Sequence, residues 1–510
     1  MPSTSPWLRE KLAEFPPLQK NAHFDVLVIG GGNTGISTAY VMKEAGLRVG
    51  LIEKDRCGSV NTGHTSAHLT CITDLRLSKL LHKLGKDHAQ AVMDAGVLAI
   101  DTVEANCAKE SIECHFARVP GFLHASLTQT EEESKDLEAD LKAAVELGIE
   151  AVYLQSVPLV HKPGIRVPNQ ARFHPLKYLQ GLLKRIPGDG CQVFENTEIT
   201  EFSQKPFHVK ANGFKVTFDY LVIATDVPLQ GNNSLFDATL FQTKIAPYTS
   251  YVISAEVSPG SVPDALFWDT SDPYYFLRLE KDQGKEYAIF GGLDHKTGQE
   301  VNANERYQQL ERLLQKYVPT AHVKARWSGQ VVESVDGLPY IGEIADKQFI
   351  ATGYSGNGLT FGTVAALMAC DAARGRSNPW KDLFDPSRKK LSAIWNYMKE
   401  NADFPYYLIK DRLKKSEAES PDHLASGQGK ILEMEGNRVA AFKDEQGKLT
   451  LLSPVCTHLG CIVRWNQSEK TWDCPCHGSR FRARGEVFAG PAESPLEPYR
   501  SASEVGKGAK

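Results

Sequence analysis

The sequence predicts an α/β domain with a parallel sheet, followed by a small all-β domain near the C-terminal end. Between residues 24 and 52 a short apolar strand, a glycine-rich turn, a segment with helical spacing and a second strand follow one another. This βαβ order implies parallel strands joined by a right-handed crossover. Between residues 430 and 499, short apolar runs alternate with Gly, Pro and Asn turns, as expected of β-strands.

Length and composition set the broad class of the protein. A chain of 510 residues is too long for one hydrophobic core, so two or three domains are expected. The net charge of −4 gives no electrostatic reason to expect nucleic acid or an anionic membrane as a partner. The N-terminal extension, residues 1–23, is charged, and the chain has no apolar run long enough to span a membrane. We therefore expect a cytoplasmic protein that has no membrane span and binds no nucleic acid.

The glycine-rich turn matches a dinucleotide-binding loop. Gly30, Gly32 and Gly35 stand in G-x-G-x-x-G register between the first strand and the helix. In that register the glycines permit a tight turn, a close approach to a pyrophosphate, and packing of the helix on the strand. Glu53 ends the second strand, where a carboxylate can bond a ribose hydroxyl. The alternative is a purely structural turn, but strand, loop, helix, strand and acid all occur in the expected order.

The loop alone does not distinguish FAD from NAD, and later segments favour FAD. A second glycine-rich turn, GYSGNGLTFG at residues 353–362, follows a predicted strand at 349–352 and precedes a predicted helix at 363–374. A turn at a helix N-terminus suits the flavin end of FAD. The chain has no second G-x-G-x-x-G unit that would hold NAD(P)H. The glycines expected to lie near the flavin are Gly353, Gly356 and Gly358.

Together with YLVIAT at 220–225 and DGLPYIG at 336–342, these segments resemble the D-amino-acid oxidase/glycine oxidase/sarcosine oxidase superfamily of FAD proteins. The resemblance implies a Rossmann-like FAD-binding domain with a parallel sheet, interleaved with an α+β substrate domain that has an antiparallel sheet. That family oxidises C–N bonds of amines and amino acids by passing a hydride to flavin. The predicted segments are about 24–73, 161–240 and 327–390 for FAD binding, 74–160 and 241–326 for the substrate domain, and 401–429 for a linker that follows this module of residues 24–400.

Cysteine and histidine cluster in two short boxes, CTHLGC at 456–461 and CPCHGS at 474–479. In each box a histidine follows the first cysteine by two or three residues. Two loops that each offer a thiolate and an imidazole suit a [2Fe–2S] cluster with one Cys₂ iron and one His₂ iron. A Cys₂His₂ zinc site and a plain disulfide pair are the alternatives, although zinc leaves Cys461 and Cys476 unexplained.

The boxes match the Rieske proteins of respiratory and photosynthetic cytochrome complexes nearly letter for letter, and Gly490-Pro491-Ala492 resembles their proline loop. The resemblance implies a C-terminal all-β Rieske domain at residues 430–505. It also implies a disulfide between Cys461 and Cys476. Oxygenase-type Rieske domains lack that pair, so this domain is similar to the electron-transfer type. The implied cluster ligands are Cys456, His458, Cys474 and His477.

Two further residues are expected to influence the reduction potential of the cluster. In high-potential Rieske proteins a serine and a tyrosine hydroxyl bond the cluster region, and such bonds raise the potential. This chain has Ser479 but Phe481 at the tyrosine position, so one of the two bonds cannot form. We expect a potential below that of the respiratory centres and above that of all-cysteine plant-type clusters.

The two modules together predict a flavin-dependent dehydrogenase that oxidises a small amine or amino acid. Its electrons would leave singly through the Rieske cluster to an external acceptor protein. One alternative is reversed flow, in which an external one-electron donor protein reduces FAD through the cluster. Another is a redox sensor without catalytic activity.

Substrate-binding residues are predicted from the same family. Tyr275 and Arg278 lie in the alternating segment YYFLRL, and the family often holds a substrate carboxylate with Tyr and Arg on such a strand. A packing tyrosine and a surface arginine are the alternative. Asp294, His295 and Lys296 follow a Gly-Gly turn, and we expect no role for them at the flavin.

The mode of flavin attachment is also open to prediction. Some relatives attach flavin covalently through a histidine that follows the second strand. In GHTSAH, residues 63–68, Ala67 falls where that histidine would be expected. We therefore expect noncovalent FAD.

Overall fold

The structure is a computed structural model that describes residues 4–128, 134–204, 207–227, 244–300, 302–388 and 420–499. Most of the predicted linker, 401–429, lies outside the described residues. Short 3₁₀ helices cover Pro6–Arg9, Asn61–His64 and Pro421–His423. The α-helices of the described residues are α1 (Asn33–Glu44), α2 (Leu77–Leu84), α3 (Lys86–Glu110), α4 (Ser134–Glu146), α5 (Pro175–Leu183), α6 (Ala303–Tyr317), α7 (Gly358–Ala373) and α8 (Lys381–Phe384).

The strands belong to four sheets. In chain order they are β1 (Ala22–Ile29), β2 (Val49–Ile52), β3 (His68–Leu69), β4 (Ala117–His124), β5 (Val152–Leu154), β6 (Gly164–Arg172), β7 (Gln192–Phe194), β8 (Ile199–Gln204), β9 (Phe207–Ala211), β10 (Phe214–Asp226), β11 (Ile245–Val257), β12 (Leu266–Asp269), β13 (Phe276–Asp282), β14 (Lys285–Lys296), β15 (His322–Ser334), β16 (Tyr340–Ala345), β17 (Gln348–Thr352), β18 (Gln428–Met434), β19 (Asn437–Lys443), β20 (Leu449–Leu452), β21 (Arg464–Asn466), β22 (Thr471–Asp473), β23 (Arg480–Arg482) and β24 (Val487–Ala489).

The first sheet is parallel at its centre, in the order β17-β10-β1-β2-β7, with β16 antiparallel at one edge and the β8–β9 hairpin beside β10. The last four residues of β1 and all four of β2 are buried. Burial on both faces explains why these strands are continuously apolar instead of alternating. Helices α1 and α7 pack against each other beside this sheet. The carboxyl ends of its strands carry the glycine-rich loop and Glu53, which is where such sheets bind ligands.

The second sheet runs β15-β11-β14-β13-β12-β4-β6-β3, with β5 attached to β6, and it is antiparallel except for the β12–β4 pair. Its strands β11, β14 and β15 supply the wall that faces the first sheet. The predicted boundaries put residues 164–172 with the parallel sheet, whereas β6 pairs with β4 in this second sheet. Local sequence patterns show that a segment is a strand but not which distant strand it pairs with.

The C-terminal region contains two small antiparallel sheets, β18-β19-β20 and β21-β22-β23-β24. Trp472 on β22 lies opposite Phe481 on β23, and both side chains are fully buried in the core of this domain. The architecture therefore confirms the predicted fold class of an α/β domain interleaved with an α+β domain and followed by an all-β domain. Among the described residues, no helix combines the length and apolar character needed to span a membrane.

Candidate active site and cluster-binding loops

The first glycine-rich loop is shaped by contacts that exclude side chains. Gly30 has φ +106°, and a Cβ on it would lie 2.4 Å from the carbonyl oxygen of Ala224. A Cβ on Gly35 would lie 1.8 Å from the carbonyl oxygen of Gly30. The loop leads directly into α1, so free backbone N–H groups at the helix N-terminus face the space beyond it.

Glu53 is tied to this loop. Its carboxylate accepts hydrogen bonds from the backbone N–H groups of Gly31, at 2.6 Å, and Asp55, at 2.8 Å. Burial raises the pKa of Glu53. The predicted ribose ligand therefore lies at the carboxyl end of β2, beside the glycine-rich loop, as the sequence pattern requires.

A cavity of about 630 Å³ extends from this loop to the second glycine-rich turn. The turn has positive φ at Gly353 (+70°) and Gly356 (+81°), and α7 begins at Gly358, five residues earlier than predicted. The cavity thus lies between two helix N-termini, with backbone rather than bulky side chains at both. These features fit FAD, whose pyrophosphate and flavin ends would lie at the two loops. The predicted residues that line the cavity are Gly30, Gly32, Glu53, Gly356 and Gly358.

The two histidines that follow β2 lie in different environments. His64 lines the cavity, and its Nδ1 lies 2.7 Å from the carbonyl oxygen of Val60. His68 points elsewhere, with its ring nitrogens 3.1 Å from the Ser66 hydroxyl and 3.3 Å from the carbonyl oxygen of Leu277. Burial lowers the pKa of His68 to about 3, so this ring is neutral.

Neither predicted substrate-binding residue lines the large cavity. Arg278 is fully buried, and its guanidinium donates to backbone carbonyls, including that of Ser66, and to Glu280 at 2.9 Å. Its donors are therefore directed into the protein. Tyr275 stacks on Phe290 with 5.9 Å between ring centroids and lines a separate, much smaller pocket. Both residues lie on or next to the predicted strand, β13, but its first five residues are all buried and do not alternate. Tertiary packing therefore set the direction of each side chain.

The cavity wall instead contains residues to which sequence reasoning gave no role. Asp294 on β14 lines the cavity, as do Ser250 on β11 and Tyr274 just before β13. The Tyr274 hydroxyl donates to Asp74 at 3.2 Å, and the Asn357 amide donates to the other oxygen of Asp74 at 3.1 Å. The Gly-Gly turn before Asp294 could have indicated from sequence that this residue lines the cavity. No sequence feature indicated this for Ser250 or Tyr274. His295 and Lys296 do not line the cavity.

The two cysteine–histidine boxes fold into loops with the same backbone pattern. In the first, the N–H of Cys456 bonds to the carbonyl of Cys461 at 2.8 Å, and the N–H of Gly460 bonds back to Cys456 at 3.0 Å. In the second, Cys474 and Gly478 repeat both bonds at the same two distances, with Ser479 as the acceptor partner of Cys474. Each loop thereby presents one cysteine and one histidine in equivalent positions.

The predicted ligands meet between the loops. The imidazole rings of His458 and His477 are 5.0 Å apart and nearly perpendicular. Cys456 and Cys474 are both buried and outside any disulfide, and the Cys474 thiol beside it lowers the pKa of Cys456 to about 7. Two facing thiols and two facing imidazoles are the donor set of a Rieske cluster.

The surroundings of these ligands also follow the predicted pattern. Cys461 and Cys476 form a disulfide, the pairing that the resemblance implies. The hydroxyl oxygen of Ser479 accepts a hydrogen bond from the backbone N–H of Ala492 at 3.0 Å, which ties the proline loop to the second box. Phe481 is fully buried in the core of the domain.

The cluster-binding loops lie directly against the flavin module. Gln330 on β15 lines the cavity, and its Nε2 donates to the carbonyl oxygen of Gly478 at 2.8 Å. Close approach needs small residues on both sides. A Cβ on Gly298 would lie 2.6 Å from the Cys474 backbone, and one on Gly478 would lie 2.7 Å from Pro247. The segment 487–495, which includes the proline loop, forms part of the cavity wall.

Comparisons with known proteins agree with both halves of this arrangement. The family model described as FAD dependent oxidoreductase matches residues 25–372, and the Rieske [2Fe-2S] domain model matches residues 416–500. The chain is 33% identical to YhfW of Bacillus subtilis (strain 168), named for a Rieske 2Fe-2S iron-sulfur centre, over 95% of each protein. It is 23% identical to gamma-glutamylputrescine oxidoreductase of Escherichia coli (strain K12), over 79% of this chain and 96% of the relative.

A solved structure supports the same fold. Glycine oxidase from Geobacillus kaustophilus superimposes with a TM-score of 0.60 at 18% identity, covering 72% of this chain and all of that one. FAD and a Rieske [2Fe–2S] cluster are the cofactors of the two matched families. The chain belongs to the FAD-dependent oxidoreductase family and carries a Rieske [2Fe–2S] domain at its C-terminal end.

Proposed function

We propose that the protein oxidises a small amine or amino acid and passes the electrons singly through its Rieske cluster to an external acceptor protein. FAD, when bound, accepts a hydride from the substrate, and the cluster carries one electron at a time. The protein's own residues hold the two cofactors next to each other and shape the substrate space. The oxidoreductase family and an amine-oxidising relative support this class of reaction.

One contact carries the proposal for the electron route. Gln330 lines the cavity, and its side-chain amide donates to the carbonyl oxygen of Gly478, within the second cluster box. Gly478 directly follows His477, so this bond joins the cavity wall to the loop that presents a predicted cluster ligand. The contact is direct, and glycines on both sides of it leave no room for a third component. Electron transfer within one molecule is the function that such packing supports.

Anaerobic reduction of the holoprotein tests the proposal. A panel of amines and amino acids is mixed with the protein while flavin absorbance and the rhombic EPR signal of the reduced cluster are followed. A substrate should bleach the flavin first and then produce the EPR signal. The rate of the second step should not depend on protein concentration, because both centres lie in one molecule.

The alternative functions predict different results. With reversed flow, a one-electron donor reduces the cluster first and the flavin second, and no amine reduces either. A sensor without catalytic activity shows no turnover when any candidate substrate is supplied together with an artificial one-electron acceptor. Either result would overturn the proposal.

A further inference from the structure

Ser250, Tyr274 and Asp294 line one end of the cavity, and Asp74 lies behind Tyr274, which donates a hydrogen bond to it. These four residues are here called the acidic end. It lies between the second sheet and the turn that contains Gly356. The four residues come from separate segments of the chain, so the grouping exists only in the folded protein. The turn packs tightly here, since a Cβ on Gly356 would lie 2.4 Å from a carboxylate oxygen of Asp74.

The two carboxylates are held differently. Asp74 receives hydrogen bonds from Tyr274 and Asn357, one on each oxygen, and so has a fixed position. In Asp294, Oδ1 is buried and makes no hydrogen bond to any described residue, and the same holds for the buried hydroxyl of Ser250. Ser250 is close enough to moderate the pKa of Asp294, but burial dominates and raises that pKa to about 6.

Burying a carboxylate oxygen that has no hydrogen-bond partner costs free energy. A positively charged group placed next to that oxygen offsets this cost. Among the residues that the structure describes, no Lys or Arg side chain supplies this charge at the acidic end. Among the described residues that line the cavity, the Lys and Arg side chains are Lys54 and Arg56. Lys54 donates to the carbonyl oxygen of Val487 at 3.1 Å, and Arg56 pairs with Glu195 at 2.8 Å, both near the dinucleotide loop.

We propose that the acidic end binds the positively charged group of an amine substrate and disfavours a substrate carboxylate. This inference rests on the proposed function and narrows its substrate class to cationic amines. The Asp294 carboxylate and the Ser250 hydroxyl supply the open acceptors. Asp74, whose pKa burial raises to about 7, adds a second carboxyl group behind them. Arg278 cannot supply a compensating charge for a carboxylate, because its guanidinium is fully buried and bonded away from the cavity.

The test measures binding separately from turnover. Oxidised, FAD-loaded holoprotein is mixed with each probe without oxygen in a stopped-flow instrument, and the difference spectrum of the flavin before any reduction reports binding. The probes share a four-carbon chain: n-butylamine, butyltrimethylammonium, 4-aminobutanoate and 2-aminobutanoate. We expect n-butylamine to bind at least about tenfold more tightly than the two amino acids, the scale of one charge-assisted hydrogen bond. Butyltrimethylammonium has no N–H to donate, so its tighter binding than the two amino acids rests on charge attraction alone.

Two variants test whether the Asp294 carboxylate binds the cationic group. Asp294→Asn keeps the shape of the side chain and should weaken binding of both cations at least about tenfold. Asp87→Asn is the matched control, because Asp87 is an exposed acid in the first turn of α3 and does not line the cavity. If Asp294→Asn fails to load FAD, Asp74→Asn provides the second variant, since an amide still accepts a hydrogen bond from Tyr274.

Two outcomes would overturn the inference. One is tighter binding of 2-aminobutanoate than of n-butylamine by the wild-type protein. The other is unchanged cation affinity in both acid variants. If the cations bind in an Asp294-dependent manner but no amine reduces the flavin, the acidic end is confirmed as a cation site and the proposed function is wrong.

Discussion

At the scale of single residues, the second cluster box shows how one side chain can set a redox property. The oxygen of Ser479 already accepts a hydrogen bond from Ala492, so its own hydrogen remains for donation toward the neighbouring cluster ligands. Phe481 occupies the position where high-potential relatives have a tyrosine, and it offers no donor. Hydrogen bonds to cluster sulfurs favour the reduced state because they stabilise its additional negative charge.

Substitution of these two residues should move the potential in opposite directions. Phe481→Tyr should raise it and Ser479→Ala should lower it, each by tens of millivolts, given about 43 mV per kcal/mol for one electron. Protein-film voltammetry measures both changes. Phe442→Tyr, which adds the same hydroxyl on β19 in the other sheet of the domain, is the control. Unchanged potentials in both test variants would show that the loop does not lie against the cluster as described.

Loss of a single thiolate ligand should eliminate the cluster. In Cys474→Ala, one iron would keep only one protein thiolate, and the rhombic EPR signal of the reduced centre should disappear. Cys191→Ala, which removes a buried thiol in the flavin module, should keep that signal. A full signal from Cys474→Ala would contradict the ligand assignment.

At the scale of elements, the β1–α1–β2 unit was predictable because each of its signals is local. Strand β1 is apolar, the glycines of the loop that follows it occur at fixed spacing, and the acidic residue Glu53 stands at the end of β2. The structure shows that the glycines serve close backbone contact as well as flexibility. Gly30 and Gly46 both have positive φ, but only Gly30 has a neighbour within 4 Å of an added Cβ.

This difference allows steric contact to be separated from backbone strain. Gly46→Ala should cost about 1–2 kcal/mol of stability through its left-handed backbone alone and should still bind FAD. Gly30→Ala adds a clash with the carbonyl of Ala224 and should lose FAD. Absorbance of the purified proteins at flavin wavelengths measures the outcome, and a retained cluster EPR signal shows that the C-terminal domain has folded. Full flavin content in Gly30→Ala would contradict the tight contact.

Attachment of the flavin belongs to the same scale, since it depends on the segment that follows β2. We expect noncovalent FAD, which acid precipitation should release into the supernatant. His68 does not line the cavity, and its ring nitrogens lie beside the Ser66 hydroxyl and the Leu277 carbonyl oxygen. Yellow colour that stays with the precipitated protein would contradict it, and His64→Ala would then show whether the cavity-lining histidine is the point of attachment.

At the scale of the whole molecule, the Rieske domain forms part of the wall of the flavin cavity. Gln330 lines the cavity and bonds the second cluster box, as does Ala492 of the proline loop. Gln330→Leu removes its hydrogen bond and leaves the Gly478 carbonyl without that donor, a loss of about 1–3 kcal/mol of local interaction. Cluster reduction should therefore slow relative to flavin reduction in the same sample.

Stopped-flow absorbance and freeze-quench EPR give the ratio of the two rates. Gln299→Leu is the control, because Gln299 bonds the carbonyl of Pro475 at 3.3 Å but does not line the cavity. An equal ratio in the wild type and both variants would show that the contact at Gln330 does not carry the electron route.

The sequence by itself determined the cofactors and the two modules, and it predicted the cluster ligands. Those features depend on residues that lie close together in the chain, at spacings that the chemistry of phosphate and iron binding requires. Only the tertiary structure decided the acidic end of the cavity. Ser250, Tyr274 and Asp294 are far apart in sequence and meet because β11, β13 and β14 pair in one sheet. Asp74 joins them through its hydrogen bond from Tyr274. Arg278 is the opposite case. The sequence predicted that it binds a substrate carboxylate, but packing directs its side chain into the protein interior.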